Sequence, residues 1–276
     1  MARRVGFLSR AAAVLFASVV SSGCWRHREH NVANAWQWTE QLPPGATIHL
    51  RNTSGSINVR PASGDVATVV GSKRWRFGRE RDVQFVVKSV GNDTYVCAVW
   101  GSRGQCDENG YHSRSRSMFR FFGIHWGTDV AADLRLELPE GVKVDAQTTN
   151  GTILIAGARA GGMAKTVNGS VVVRQSAGAF DVSSVNGSIR FALDSVNAAD
   201  TLNLETTNGS VRAELPSTFT GAVSLSTVNG GLHTDMPVTA TGSLSRRSLD
   251  GRIGSGQQLI RVRTVNGGIT LANRRS

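Results

Sequence analysis

Between residues 141 and 276 apolar and polar positions alternate in short runs, and the phase of the alternation switches at regular places. In "FDVSSVNGSIRF" (180–191), Phe180 and Val182 share one phase before Asn-Gly, and Ile189 and Phe191 share the other phase after it. A period of two predicts β-strands with one face turned inward, here placing these four side chains on one inner face. Val, Ile and Thr dominate the runs and no 3.6-residue pattern competes with them, so the propensities agree.

The interruptions recur. Asn150, Asn168, Asn186, Asn208, Asn229, Asp250 and Asn266 are each followed by glycine, namely Gly151, Gly169, Gly187, Gly209, Gly230, Gly251 and Gly267. The spacings are 18, 18, 22, 21, 21 and 16 residues. Two positions before each stands Thr148, Thr166, Ser184, Thr206, Thr227, Ser248 or Thr264, and three positions after it Ile153, Val171, Ile189, Val211, Leu232, Ile253 or Ile269. Coincidence in four columns marks an internal repeat. Asn tolerates a positive φ and Gly adopts it freely, so each pair is expected to make a sharp corner through left-handed backbone. An antiparallel meander and a β-solenoid both accommodate such corners. Only the solenoid, with one coil per repeat of about twenty residues at ~4.8 Å spacing, gives like residues a reason to align. The expected fold class is therefore all-β, a stacked-strand solenoid.

The pattern extends weakly toward the N-terminus. "NTSGSINVR" (52–60) repeats it with Ser54-Gly55 at the corner, and "ASGDVATVV" (62–70) is a looser copy. Residues 72–130 form a strand-rich but irregular insert, and "ADLRLELPEGVKVDAQ" (132–147) leads back into the regular coils of about 141–276. Residues 43–276 thus read as one domain. Residues 24–42 read as a tether, in which Trp36 and Trp38 are an alternative cap for the first coil. Residues 1–23 read as an export leader: Arg3, Arg4 and Arg10 precede the apolar run Ala11–Val20, too short for the ~20 residues of a stable span. The ending "SSGC" resembles a lipobox with Cys24 as the lipidated residue, and Trp25 after it suits outer-membrane sorting. The alternative is an ordinary secretory leader with Cys24 free.

"LRLELPEGVKVDAQTTNGTILI" followed by T-V-N-G-S-V units resembles the bacterial adhesin-like families of unknown function whose strand-repeat module is called the toastrack domain. "SGSINVRPASGD" and "YVCAVW…C" fit the same pattern, so the resemblance spans most of 43–276. It implies an all-β stacked-strand domain on exported or membrane-tethered proteins, discussed for adhesion or envelope sensing. It supplies no catalytic residue.

Cysteine use changes the picture in one respect. With Cys24 assigned to the lipid, Cys97 and Cys106 remain, and an oxidising compartment favours joining them. Closing so small a loop contributes ~2–3 kcal/mol. The competing reading is a metal site from Cys106, Asp107 and His112, for which no fourth-ligand cluster exists, so no metal and no cofactor is expected.

Charge adds a second. The formal +11 falls to +8 once the leader's three arginines leave. Lys73, Arg74, Arg76, Arg79 and Arg81 form one aromatic-interleaved basic cluster, and Arg114, Arg116 and Arg120 another. Either is a solvated face or a site for acidic polysaccharide or anionic lipid; export makes nucleic acid an unsuitable partner. No nucleophile elbow or phosphate loop is present. The array's carboxylates occur singly, and Asp181 and Glu205 stand at different offsets from their corners, whereas a glycoside hydrolase needs two within ~5–10 Å. The sequence therefore points to a non-enzymatic exported envelope lipoprotein presenting a rigid surface. The alternatives are a sensory or scaffolding domain with an envelope protein partner, and, third, a polysaccharide-active β-helix enzyme.

Overall fold

The structure, a computed structural model, describes residues 31–32, 35–76, 79–101, 104–107, 110–113 and 130–274. The leader, Cys24, Arg114, Arg116 and Arg120 lie outside the described residues. Two 11-stranded sheets face each other across one core. Each coil enters its corner along a strand of one sheet (the entry sheet) and leaves along a strand of the other (the exit sheet). Lys143–Asn150 thus leads through Asn150-Gly151 into Ile153–Ala156, and Phe180–Asn186 through Asn186-Gly187 into Ile189–Ser195. Neighbouring coils pair in parallel, with Asn150 opposite Asn168, Asn168 opposite Asn186 and Asn186 opposite Asn208. Parallel pairing excludes the meander.

The alternation fills the core as periodicity requires. Phe180, Val182, Ile189 and Phe191 are all at most 2 % exposed, and the two phenylalanine rings meet edge to face at 5.6 Å. Ile153, Val171, Ile189, Val211 and Ile269 stack in register along the exit sheet. Burying each contributes on the order of 1.5–3 kcal/mol.

Coil order departs from chain order. The last coil, Gln258–Asn266 with Ile269–Asn273, lies between the Asn208 coil and the Asn229 coil. The spatial sequence of corners is therefore Asn150, Asn168, Asn186, Asn208, Asn266, Asn229. Gln258 secures the placement: its Oε1 accepts from Thr220 N at 2.9 Å, and its Nε2 donates to the Val196 carbonyl at 3.0 Å. One side chain thereby ties the return loops of both flanking coils.

Three further expectations are corrected. Asp250-Gly251 is not a corner: Ser248–Ile253 runs antiparallel to Gly221–Asn229, with Gly251 mid-strand opposite Val223. Glycine is needed there because a Cβ would come within 2.6 Å of Val238 Cγ1 and the Thr239 carbonyl oxygen, while Asp250 Oδ1 accepts from Ser224 Oγ at 2.7 Å. Residues 62–70 do not form a coil, since Val66–Trp75 pairs antiparallel with Val130–Leu138. Trp36–Gln41 is no tether either. It pairs antiparallel with Val66–Trp75, and Trp36 stacks on Phe85 at 5.2 Å. The Ser54-Gly55 corner does open the stack, with Ile57 and Val59 fully buried and Gly55 N donating to the Asn150 carbonyl at 2.9 Å. At the far end Ser248–Ile253 and Thr239–Leu244 close the entry sheet with antiparallel pairs.

Candidate functional site

The six Asn-Gly corners work by contact, not by left-handed backbone. None of the six Asn-Gly pairs has φ in the positive region. Glycine is required because the next coil is too close: a Cβ on Gly169 would collide with the Gly151 carbonyl, on Gly187 with that of Gly169, and on Gly209 with that of Gly187. The same carbonyls explain the Thr/Ser column. Thr166 donates to the Gly151 carbonyl at 3.0 Å, Ser184 to Gly169 at 2.9 Å, Thr206 to Gly187 at 2.8 Å, Thr264 to Gly209 at 2.9 Å and Thr227 to Gly267 at 2.9 Å. Each hydroxyl satisfies a corner oxygen that a hydrophobic residue would leave unpaired.

The asparagines form an outer ladder. Side-chain amides donate from Asn168 to Asn150, Asn186 to Asn168, Asn208 to Asn186, Asn266 to Asn208 and Asn229 to Asn266, at 2.7–2.9 Å. One edge of the stack is thus a continuous chain of amides, fixing coil spacing and register together.

Where the first coil meets the regular array, charge is concentrated. Asp145 Oδ2 lies 2.5 Å from Arg51 Nη2 and 2.8 Å from His49 Nδ1, and Gln147 Nε2 donates to Asp145 Oδ1 at 3.0 Å. The His49 ring stacks flat on Tyr95 at 4.2 Å. Burial alone would raise the Asp145 pKa, but hydrogen bonds from His49 and Arg51, the Arg51 charge and the Gln147 hydrogen bond bring it down to about 2. This buried group locks strand Thr47–Arg51 to Lys143–Asn150. Sequence reasoning missed it because its members stand 94 and 96 residues apart and share no motif.

The basic cluster is divided by the fold. Arg74 grips Asp133, at 2.6 Å from Nε and 3.0 Å from Nη2, and the hydrogen bond to Asp133 raises its pKa further. Burial works to raise the Asp133 pKa, but Arg74 and the hydrogen bonds from Ser56 hold it below the usual range. Lys73, Arg79 and Arg81 line one open groove with Val83 and Gln84, and Lys73 Nζ lies 5.7 Å from the Phe85 ring centre. Arg76 is exposed and is not part of that lining. Cys97 and Cys106 form a disulfide with Cα atoms 5.9 Å apart, joining Asp93–Trp100 to the small hairpin Gly104–Asp107 and Gly110–Ser113.

Besides Asp145, three carboxylates of the array are paired with cations. Asp181 pairs with Lys165 at 3.3 Å, Asp194 with Arg159 at 3.1 Å and Arg274 at 2.7 Å, and Glu214 with Arg212 at 2.7 Å. Asp181 and Glu205 occupy adjacent coils and line one trough, but stand in different columns, Asp181 opposite Asn203 and Ser183 opposite Glu205. Among the described residues no group of three or more His, Cys, Asp or Glu side chains is placed to hold a metal ion.

The family described as Toastrack DUF4097 matches residues 128–272. Among solved structures, a "putative cell adhesion protein" from Clostridium sporogenes ATCC 15579 aligns with 87 % of this chain and 100 % of its own, at 10 % identity and a TM-score of 0.44. A "putative adhesin" from Bacteroides fragilis NCTC 9343 aligns with 87 % of this chain and 97 % of its own, at 10 % identity and a TM-score of 0.36. No curated protein matches.

Proposed function

The chain belongs to the Toastrack DUF4097 family, and from that premise we propose that it is an exported envelope lipoprotein whose solenoid is a non-catalytic, adhesin-like binding scaffold. In this reading lipid on Cys24 holds the chain at the outer membrane. The Asn ladder keeps the coils stiff, and the molecule acts by presenting surface. The observation that carries the non-catalytic reading is the engagement of Asp133, Asp145, Asp181, Asp194 and Glu214 in ion pairs. A glycosidase needs one carboxyl kept protonated and free to donate, and a cation alongside stabilises the opposite state.

The groove of Lys73, Arg79 and Arg81 is the site for acidic polysaccharide or anionic lipid. Two measurements test the proposal. Replacing Cys24 by Ser releases the chain from membranes in fractionated cells; retained membrane association overturns the lipid anchor. Binding to acidic polysaccharide and to anionic vesicles falls steeply with salt and is lost on replacing Arg79 and Arg81 by Ala. No binding to either, or binding indifferent to both arginines, overturns the groove assignment and moves the interaction to a protein partner.

A further inference from the structure

The outer face of the entry sheet carries a lattice that the stacking itself does not use. Between the Thr/Ser column and the Asn ladder each coil turns one residue outward: Thr149, Val167, Val185, Thr207, Val265 and Val228 in spatial order. All are exposed, the valines by 36–55 %. Isolated surface valines are ordinary, but here they adjoin in two pairs, Val167–Val185 and Val265–Val228, on either side of Thr207, and apolar groups gathered on one exposed face mark an interaction surface. On its other side runs a polar row of Gln147, Lys165, Ser183, Glu205, Arg263 and Ser226. Open troughs of about 430 and 410 Å³ lie along this face, the first reaching from Arg51 to Ser183 and Val185, the second from Asp181 to Ser224 and Ser226. Each ladder amide after Asn150 spends one N–H on its neighbour and keeps a second donor and acceptor sites for solvent or ligand.

We infer that this face binds an extended, uncharged, β-linked polysaccharide lying along the stack axis. The inference deepens the binding-scaffold reading and rests on it. Three properties select the occupant. The first is the repeat: equivalent groups recur at the ~4.8 Å strand spacing, close to the length of one pyranose unit in an extended chain. An extended peptide presents same-face side chains every ~6.6 Å and falls out of step within a few coils. The second is charge. Arg51 and Lys165 on this face are paired with Asp145 and Asp181, and Glu205 offsets one of Arg261 and Arg263, so a single net positive charge faces a ligand, against three cations in the Lys73–Arg79–Arg81 groove. The third is chemistry. A sugar shows C–H groups on one side and hydroxyls at its rim, which suit a valine row bordered by amides on one flank and polar side chains on the other.

Calorimetric titration of the purified full chain with cellohexaose and chitohexaose, each beside its disaccharide and tetrasaccharide, tests this. Affinity is expected to rise with length by about tenfold or more from dimer to hexamer, and to hold steady between ~0.1 M and ~1 M NaCl. Val167→Asp and Val185→Asp weaken hexamer binding about tenfold or more. Thr207→Arg, at an exposed position on the same row, does the same should either valine variant misfold. Arg79→Ala leaves hexamer binding intact. If neither hexamer binds, length has no effect, or the row variants bind as the parent does, the inference fails. Failure here with polyanion binding retained leaves the scaffold reading standing. Binding followed by release of shortened oligosaccharides supports the ligand class and overturns the non-catalytic reading instead.

Discussion

Replacing Gly187 by alanine isolates what the repeated glycine does. Gly187 has no positive φ, so alanine meets no backbone penalty and should even gain ~0.4–1 kcal/mol from a stiffer unfolded chain. The added methyl, however, falls well inside 3.0 Å of the Gly169 carbonyl. Backbone lies on both sides, so relief requires the Asn168 and Asn186 coils to part at the corner. Four hydrogen bonds span that gap: Gly169 N to Asn186 O at 3.1 Å, Val171 N to Ser188 O at 3.1 Å, Ser184 Oγ to Gly169 O at 2.9 Å, and Asn186 Nδ2 to Asn168 Oδ1 at 2.9 Å. Losing two at ~1 kcal/mol each, with ~1–3 kcal/mol of overpacking strain and less the ~0.4–1 kcal/mol gain, gives a net cost of about 2–4.5 kcal/mol. For a domain of this size that lowers Tm by about 10 °C, readable by circular dichroism on heating and by the urea midpoint. Gly231→Ala is the control, because nothing lies within 4 Å of its added Cβ, and its change stays within ~0.5 kcal/mol. Equal effects at the two positions would refute the steric account. A harmless alanine beside a harmful valine at 187 would point back to backbone shape.

Other consequences are independent of that one. Thr206→Val keeps shape but leaves the Gly187 carbonyl without its hydroxyl donor, costing ~1–3 kcal/mol in urea denaturation. Asp145 has a folded pKa of about 2 against 3.8 for the ordinary group. Its contribution of about 2 kcal/mol is thus complete above pH ~4 and lost as pH falls toward ~2. Asp145→Asn should be less stable at neutral pH, with a flatter acid limb in stability measured against pH. Gln258→Leu strands Thr220 N and the Val196 carbonyl, and costs ~2–4 kcal/mol by the same urea assay. The largest rise in amide exchange is expected at the last coil.

The sequence disclosed whatever is repeated and concealed whatever is not. Ile153, Val171, Ile189, Val211 and Ile269 announced a core column because burial imposes the same demand on every coil. Asn-Gly announced a corner for a similar reason, although its cause was misassigned. Positive φ is glycine's commonest use, whereas close approach to a neighbouring carbonyl depends on a coil that sequence alone does not place. Asp250-Gly251 matched every column and still sits mid-strand, since glycine under the Val238–Thr239 backbone looks like glycine under another corner. The His49–Arg51–Asp145 group left no local signature at all.

The order of coils is the deepest instance. Each regular coil offers the same groups above and below: an Asn amide, a glycine carbonyl, a Thr or Ser hydroxyl and an aliphatic core residue. Such coils are interchangeable as far as the ladder is concerned, so the repeat that guarantees stacking cannot encode sequence of stacking. Order has to come from residues outside the repeat. Gln258 reaches both Val196 and Thr220, and Asn273 N donates to Asp235 Oδ1 at 2.8 Å. These contacts join the last coil to loops beside its actual neighbours. Chain order would have put the last coil beyond Asn229, where Ser248–Ile253 already covers the entry sheet with an antiparallel strand. Repeating residues therefore make the fold a stack, and the few that do not repeat decide which stack it is.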